Sequence, residues 1–198
     1  MPRAGLTRDA VVAAALDLVD TGGPAGFERL TLARVAERVG VAVPSLYKHV
    51  AGLEDLRRGV AFESVTALRA AITHEAVGRS GPAALRAVAH GVRAFAAAHP
   101  GWYQAVQVTP ALGPDDALTA AAASTVEAIA AVLRGFDLPD DRTVDAVRLV
   151  RSAVHGFVVL EHGGGFGLPD DLDRSFDVVI EATIAGVERL AGGTPPGS

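Results

Sequence analysis

Residues 30–50 constrain the fold of this chain more than any other stretch, because their pattern predicts two short helices joined by a tight turn. Thr31 can accept a hydrogen bond from a free N–H of a first helical turn. Apolar residues then recur at the spacing of one helix face. They are Leu32, Val35, Ala36 and Val39. Gly40 follows at once, where a helix commonly ends on a left-handed residue, so the first helix should stop there.

A second, shorter helix is predicted to open at Pro44 and Ser45, since proline is tolerated in a first helical turn and fixes φ there. Leu46 and Val50 lie four residues apart and should face inward. The side chains left for the other faces are polar: Ser45, Tyr47, Lys48 and His49. So short a helix buries little apolar surface, yet these groups suit phosphates and base edges. From the pattern alone, a helical hairpin with a solvated polar face remains an equal alternative.

With its flanks, this stretch resembles the DNA-binding domain of the TetR family of bacterial transcriptional repressors. The resemblance covers about the first sixty residues and rests on LTLARVAERVGVAVPSLYKHV, preceded by TRDAVVAAALDLVDTGG and followed by AGLEDLRRGV. It implies a transcriptional regulator, most simply a repressor, whose second short helix enters the major groove of DNA. The DNA-binding residues that we expect on this basis are Thr31, Arg34, Val43, Pro44, Ser45, Tyr47, Lys48 and His49.

Two positions qualify the resemblance. Val43 stands where relatives often read a base, and a valine can contact only a thymine methyl there. The family usually has a lysine near the start of the fourth helix, where this chain has Leu53. Arg57 and Arg58 are the neighbours that could take over this phosphate contact.

Charge is distributed unevenly over the 198 residues, whose net charge is −5. Residues 1–58 carry eight basic and seven acidic side chains, whereas residues 59–198 carry ten and sixteen. DNA affinity is therefore expected from a few placed contacts, doubled by symmetry, rather than from a broad positive field. The absence of cysteine excludes disulfides and thiolate metal sites.

Neither a signal peptide nor a membrane span is predicted. Arg3 and Arg8 lead into an amphipathic helix rather than into an apolar segment. The longest stretch without an acidic or basic residue, 94–114, is interrupted by prolines and glycines. We therefore expect a cytoplasmic protein, and we predict neither a cofactor nor a metal.

Alanine-rich segments with helical spacing, separated by proline and glycine, predict an all-α fold of about nine helices. The first should be capped by Thr7 and end at Gly22 and Gly23. Later helices are expected at 53–77, 82–98, 101–109, 114–135, 139–162 and 170–191. The predicted domains are an N-terminal DNA-binding helix-turn-helix domain of three helices (1–52), a C-terminal helical ligand-binding and dimerisation domain (53–193) and a disordered tail (194–198).

The last two predicted helices are unusually apolar. Their apolar-face positions are Val147, Val150, Val154, Phe157 and Val158 on one, and Leu172, Phe176, Val179, Ile180, Thr183, Val187 and Leu190 on the other. Burial inside one domain and a four-helix bundle with a symmetry mate both fit this pattern. Because one short recognition helix reads few base pairs, we predict a homodimer through these helices on a palindromic DNA operator.

Two further motifs, HPGWYQAV and SAVHGFVVLEHG, resemble the ligand-binding region of a TetR subgroup with an HPG turn and an HG pair, although the tryptophan usual before HG is absent. A small, largely apolar effector would need apolar faces with polar tips around it. The ligand-binding candidates are Phe62, Phe95, His99, Trp102, Tyr103, Gln107, Arg151 and His155, with Glu161 beside them. Each could instead be ordinary core or surface. His155 and His162 share a helix face, but two ligands are too few to predict a metal site.

Two other functions remain open. A small-molecule binding protein could use the same fold without binding an operator. A helical enzyme is disfavoured, because HExxH, GxSxG and GxxxxGK[ST] are absent and the glycine-rich residues 163–167 follow a helix and precede a proline.

Overall fold

The computed structural model describes residues 5–107, 116–169 and 171–192, and in these ranges it contains nine α-helices and no strand. The helices are α1 Arg8–Thr21, α2 Leu32–Val39, α3 Val43–Leu46, α4 Leu53–Ala76, α5 Gly81–Ala98, α6 Pro100–Gln107, α7 Ala117–Leu133, α8 Thr143–His162 and α9 Leu172–Gly192. Short 3-10 turns occur at Gly23–Ala25, Arg134–Phe136 and Asp140–Arg142. The predicted all-α class is confirmed.

Three helix ends predicted from single residues are confirmed. The Thr7 hydroxyl accepts from the Ala10 N–H at 3.2 Å, and the Thr31 hydroxyl accepts from the Arg34 N–H at 3.3 Å. Gly40 ends α2 in the left-handed region with φ at 72°, where a glycine has no Cβ to clash. Local chemistry therefore determines where α1 begins and where α2 begins and ends.

Helix α3 differs from its prediction. It begins one residue before Pro44 and ends at Leu46, so that residues 47–49 form a turn. The Leu46 carbonyl accepts from the N–H groups of His49 at 2.8 Å and Val50 at 3.0 Å, which tightens the chain there.

Other helix boundaries shift by a few residues. Helix α8 begins at Thr143, after a 3-10 turn, rather than at Pro139. The predicted end of α6 at Thr109 and the predicted starts of α7 at Pro114 and α9 at Asp170 lie outside the described residues, as do Arg3 and the predicted tail 194–198.

Contacts divide the chain into two compact units. The first comprises Met1–Ala67 and Ala98–Ala122, and the second comprises Leu68–Ala97 and Ala123–Ser198. Helix α6 therefore belongs to the same unit as the helix-turn-helix pair. The functional division between residues 52 and 53 stays a prediction.

The first unit has a core to which five helices contribute. Its buried members include Val11, Ala15 and Val19 of α1, Val35 and Ala36 of α2, Leu46 of α3, Leu56 and Val60 of α4, and Ala105 of α6. Because α4 and α6 both supply fully buried side chains, helices α1 to α3 do not complete this core by themselves.

In the second unit, most of the apolar positions predicted on α8 and α9 are buried within the chain. Those buried are Val147, Val150, Val154, Phe157, Val158, Phe176, Ile180, Thr183 and Val187, while Leu172, Val179 and Leu190 are half-buried. A separate set of apolar side chains is exposed on the same helices: Val144, Leu149, Val159, Leu160 and Val178. The two helices thus have an apolar inner face and additional apolar residues outside.

One helical stretch in the described part of the chain, Ala117–Phe136, is long and apolar enough to cross a membrane, with a mean hydropathy of 1.4. This helical stretch lies outside residues 94–114, for which the sequence predicts no membrane span. A core helix of a soluble protein meets the same criterion, so a single example is weak evidence for a membrane span.

Candidate nucleic-acid interface

The turn after α3 presents the polar groups predicted to meet DNA. Leu46 and Val50 are buried and anchor it from behind, while Tyr47 is 58% exposed. Lys48 is exposed, and Ser45 and His49 are half-buried. We call Ser45, Tyr47, Lys48 and His49 the recognition surface. Among the described residues, the side chains of Tyr47, Lys48 and His49 have no hydrogen-bonding or charged partner within the protein.

The start of α2 adds a hydroxyl and a cation. The Thr31 hydroxyl oxygen is occupied by the Arg34 N–H, which leaves its own proton to donate. The Arg34 guanidinium donates to the Arg29 carbonyl at 3.3 Å and is otherwise exposed. Val43 and Pro44 belong to the first turn of α3, with Val43 half-buried and Pro44 exposed.

Ion pairs hold the surrounding helices of the first unit together. Arg38 of α2 pairs with Asp17 of α1. The Asp55 carboxylate accepts from the Ala51 N–H at 2.9 Å and from Arg8 at 2.5 Å. Burial opposes ionisation of Asp55, but these hydrogen bonds outweigh it and hold its pKa below the ordinary value. The sequence pattern did not indicate these links, since each partner lies on a different helix or turn.

The two arginines that could replace the usual α4 lysine are engaged elsewhere. Arg57 donates to the Glu28 carbonyl at 3.2 Å, and its guanidinium lies 5.8 Å from the centre of the Phe27 ring. Arg58 is paired with Asp116. Leu53 packs against the core of the first unit. The cations left for phosphates near the recognition surface are therefore few.

Of the predicted ligand-binding residues, five lie in the first unit: Phe62, His99, Trp102, Tyr103 and Gln107. His99 Nδ1 lies 3.1 Å from both Asp20 carboxylate oxygens, and its ring stacks on Trp102 at 4.4 Å between centres. The Trp102 indole N–H donates to the Leu16 carbonyl at 3.1 Å. Tyr103 is buried and Gln107 is exposed. The polar groups of His99 and Trp102 therefore bind α1, and a ligand role for these five residues stays a prediction.

The other three candidates, Phe95, Arg151 and His155, lie in the second unit. Burial, together with the Arg151 charge, lowers the pKa of His155 and so favours the neutral imidazole. Glu161 does not offer a free carboxylate, because Arg93 donates to both of its oxygens, at 2.9 Å and 2.5 Å. This pairing holds the pKa of Glu161 below its ordinary value.

A cleft of about 650 Å³ lies within the first unit, between α1, α4 and the start of α7. Phe62 lines it, with Val12, Leu16, Gly59 and Leu118 among the other apolar residues. Its charged lining residues include both partners of the Arg8–Asp55 and Arg58–Asp116 pairs. Within the described ranges, no three histidine or carboxylate side chains are grouped as a metal site would require; the absence of a metal stays a prediction.

Comparison with known proteins bears on the family to which this chain belongs. A family profile described as the tetracyclin repressor-like C-terminal domain matches residues 85–183. An uncharacterised HTH-type transcriptional regulator of Mycobacterium tuberculosis, Rv0681, is 34% identical over 195 residues, which are 96% of this chain and 87% of that protein. The HTH-type transcriptional repressor DrrR1 of Streptomyces coeruleorubidus is 31% identical over 78% of this chain and 53% of its own length.

Solved structures agree with these sequence relatives. A single-residue variant of TetR from Acinetobacter baumannii, in complex with minocycline, has a TM-score of 0.70 and 26% identity over 94% of this chain and 99% of that one. The fold, the helix-turn-helix geometry and the relatives lead to one conclusion: this chain belongs to the TetR family and is a DNA-binding transcriptional regulator.

Proposed function

We propose that this regulator is a repressor, that it binds a palindromic operator as a homodimer, and that a small, largely apolar effector releases it. The observation that carries the DNA-binding role is the recognition surface itself. A phenol, an ammonium and an imidazole lie side by side without protein partners among the described residues, while Leu46 and Val50 anchor them from behind. Polar groups held rigidly and left unsatisfied suit phosphates and base edges.

The residues would have separate roles. Tyr47, Lys48 and His49 would contact phosphates, and the hydroxyls of Thr31 and Ser45 would donate to phosphate oxygens. Arg34 would add a second cation at the start of α2. Val43 would meet a thymine methyl, and Pro44 would hold the first turn of α3 against the groove.

Exposed apolar residues on α8 and α9 support dimerisation. Leu149, Val159 and Leu160 are exposed on α8, and Val178 is exposed on α9. A Cβ added at Gly156 of α8 would meet nothing within 4 Å, so the chain itself leaves this position open for a close neighbour. A four-helix bundle of two α8 and α9 pairs would cover these residues. It would also present two recognition surfaces to the two half-sites of a palindrome.

Effector release would follow from linkage. A ligand bound within residues 53–193 that prefers a conformer with wrongly spaced recognition surfaces must weaken operator binding. A typical coupling free energy of about 1 to 3 kcal/mol would change operator affinity roughly 5- to 150-fold. Support comes from the minocycline complex of the Acinetobacter baumannii relative, in which a small molecule is bound.

A small-molecule binding protein without an operator is the second candidate. It is favoured by Leu53 and by the engagement of Arg57 and Arg58, which leave few cations for phosphates. Regulators of this family are not enzymes, and we propose the same for this chain, which would act in the cytoplasm, where an operator is accessible.

The test is a selection of duplexes from a random library with the parent protein, followed by gel-shift titration at several salt concentrations. A regulator should recover a palindrome and should show a steep loss of affinity with salt. Failure to recover any duplex, or an affinity independent of salt, would favour the small-molecule binding protein.

Lys48 allows a sharper version of this test, because it is the chain's only lysine. Amine acylation followed by mass spectrometry should modify Lys48 in the free protein and much less in the complex with the selected duplex. The same duplex can be titrated with Lys48→Ala. The matched control is Arg134→Ala, which removes an exposed cation of the second unit and should bind the duplex like the parent. Equal acylation of Lys48 with and without duplex would exclude it from the interface.

A further inference from the structure

We propose that His99, Gly101 and Trp102 of the HPGW segment are positioning residues for operator binding, acting through α1. The proposal rests on the proposed function, because it concerns how well the recognition surface is held for DNA. Its premise is that the segment touches the last turn of α1, and that α1 packs in the same core as α3.

Within the HPGW segment, Gly101 lies tightly against the end of α1. A Cβ at this position would lie 2.2 Å from the Val19 carbonyl oxygen and 2.9 Å from that of Gly23. Gly26 meets the same Val19 oxygen, at 2.0 Å from its own added Cβ. Backbone atoms cannot yield as a flexible side chain can, so no other residue fits at Gly101 without moving α6 away from α1.

Two side chains on either side of Gly101 complete the contact. The His99 imidazole lies against the Asp20 carboxylate, and the Trp102 indole N–H is bonded to the Leu16 carbonyl. The two rings are stacked with only 12° between their planes. Through these contacts α6 touches α1 along one turn, at residues 16–20.

The same helix closes the core behind the recognition surface. Ala105 is fully buried in the cluster that also contains Leu46 of α3 and Val35 of α2, and Trp102 packs against that cluster. A displacement of α6 would therefore open the core on which α3 rests. Binding groups need to be held within about 0.5 Å of their productive positions, so a small displacement is enough to weaken readout of a specific site.

The sequence places His99 and Trp102 among ligand-binding residues, and the two roles predict different results. A residue that only contacts effector should change the effector response and leave the affinity of the effector-free protein for its operator unchanged. A positioning residue should weaken specific binding in the absence of any effector.

The experiment compares Asp20→Asn, His99→Gln, their double variant and Gly101→Ala with the parent. The probes are the duplex selected by the parent and a duplex of scrambled sequence, both titrated without effector. Glu181→Gln, which breaks an exposed ion pair with Arg86 in the second unit, is the matched control. Circular dichroism and size-exclusion chromatography report the fold and the oligomeric state of each variant.

We expect each single variant at the Asp20 and His99 pair to bind the selected duplex about tenfold more weakly while binding the scrambled duplex like the parent. The double variant should bind the selected duplex no more weakly than whichever single variant binds it less tightly, since the two substitutions remove the same interaction. Trp102 is the chain's only tryptophan, so its fluorescence should change in both single variants and not in Glu181→Gln.

Parent-like affinity for the selected duplex in folded Asp20→Asn and His99→Gln would overturn the positioning role and leave the proposed function standing. Equal weakening on both duplexes, or additive losses in the double variant, would also overturn it. If the parent selects no duplex, the proposed function itself fails, and the inference fails with it. Folded Gly101→Ala should also bind the selected duplex more weakly than the parent, and parent-like affinity would exclude Gly101 from the positioning role. If Gly101→Ala misfolds, the hydrogen-bond variants Asp20→Asn and His99→Gln decide the proposal.

Discussion

Two clusters of charged and aromatic side chains, one in each unit, differ in whether their polar groups have partners within the chain. On the recognition surface, Lys48 and Tyr47 are exposed and have no partner among the described residues. In the second unit, the Arg93 side chain is only 14% exposed and pairs with Glu161 and Asp173. A charge satisfied inside the chain stabilises the fold, whereas a charge left outside is available to another molecule.

The Arg93 guanidinium has both ring contacts and charged partners within the second unit. We call this group the Arg93 cluster; its members are Arg93, Phe157, Glu161, Asp173 and Phe176. The guanidinium lies 4.9 Å from the centre of the Phe176 ring and 5.5 Å from that of Phe157. Hydrogen bonds from Arg93 to Glu161, outweighing burial, raise the pKa of Arg93, so it stays charged. The cluster thereby joins α5, α8 and α9 of the second unit.

The largest effect is expected from a variant that disrupts the Arg93 cluster. Arg93→Ala leaves the Glu161 carboxylate, whose side chain is 22% exposed, without its partner, and removes two ring contacts. We expect the free energy of unfolding to fall by about 2 to 4 kcal/mol, measured by urea denaturation. Arg86→Ala is the control, since its solvent-exposed pair should contribute far less to stability. Equal losses in both variants would contradict the distinction drawn between the two clusters.

The next largest effect is expected from variants of the recognition surface. Tyr47→Ala and Lys48→Ala should each weaken binding to any duplex by about 1 to 2 kcal/mol, because both remove phosphate contacts. Lys48→Ala should also lower the slope of log affinity against log salt by about one, whereas Tyr47→Ala should not. The unfolding free energy of both should stay within about 0.5 kcal/mol of the parent. A loss of stability without a loss of affinity would place these side chains in the fold rather than in the interface.

A smaller effect is expected at Thr31, which serves both the fold and the interface. Thr31→Ala removes the acceptor for the Arg34 N–H and should lower stability by about 1 kcal/mol. Thr31→Ser keeps the hydroxyl and should retain both stability and DNA affinity. Thermal unfolding and gel-shift titration of the two variants separate these outcomes, and identical melting of Thr31→Ala and the parent would contradict the cap.

The smallest effect is a change in pH dependence. The Arg93 hydrogen bonds, outweighing burial, hold the pKa of Glu161 below its ordinary 4.5, so ionised Glu161 stabilises the folded state above that value. This contribution is lost as the pH falls from 4.5 through the lowered pKa. Glu161→Gln should therefore reduce the loss of stability in that acidic window, measured by urea denaturation at successive pH values. An unchanged acid dependence would show that Glu161 is not a source of it.

Short-range features of the fold were predictable, because their causes lie within a few residues. Thr7 and Thr31 accept hydrogen bonds from residues three positions later, and Gly40 ends a helix through its own φ. Leu46 and Val50 are buried as their spacing predicted. The exposure of Tyr47 follows directly, since a short element with two buried anchors must turn its other side chains outward.

The partners of the polar residues were not predictable in the same way. His99 meets Asp20 across 79 positions in the chain, and Arg93 meets Glu161 across 68. Amphipathic spacing identifies which face of a helix is apolar but not which helix covers it. For this reason the sequence suggests a pocket role for His99, Trp102 and Glu161, although the structure pairs their polar groups with α1 and α5.

By itself, the sequence determined the helical class, the helix-turn-helix pair with its caps and its buried anchors, and the polar character of the recognition surface. These follow from hydrogen bonds and periodicities that span less than two helical turns. Only the tertiary structure decided that α6 joins the DNA-binding unit, that Arg57 and Arg58 are engaged elsewhere, and that Arg93 is satisfied internally. Such pairings depend on which surfaces meet when the core closes, and packing of distant segments settles that question.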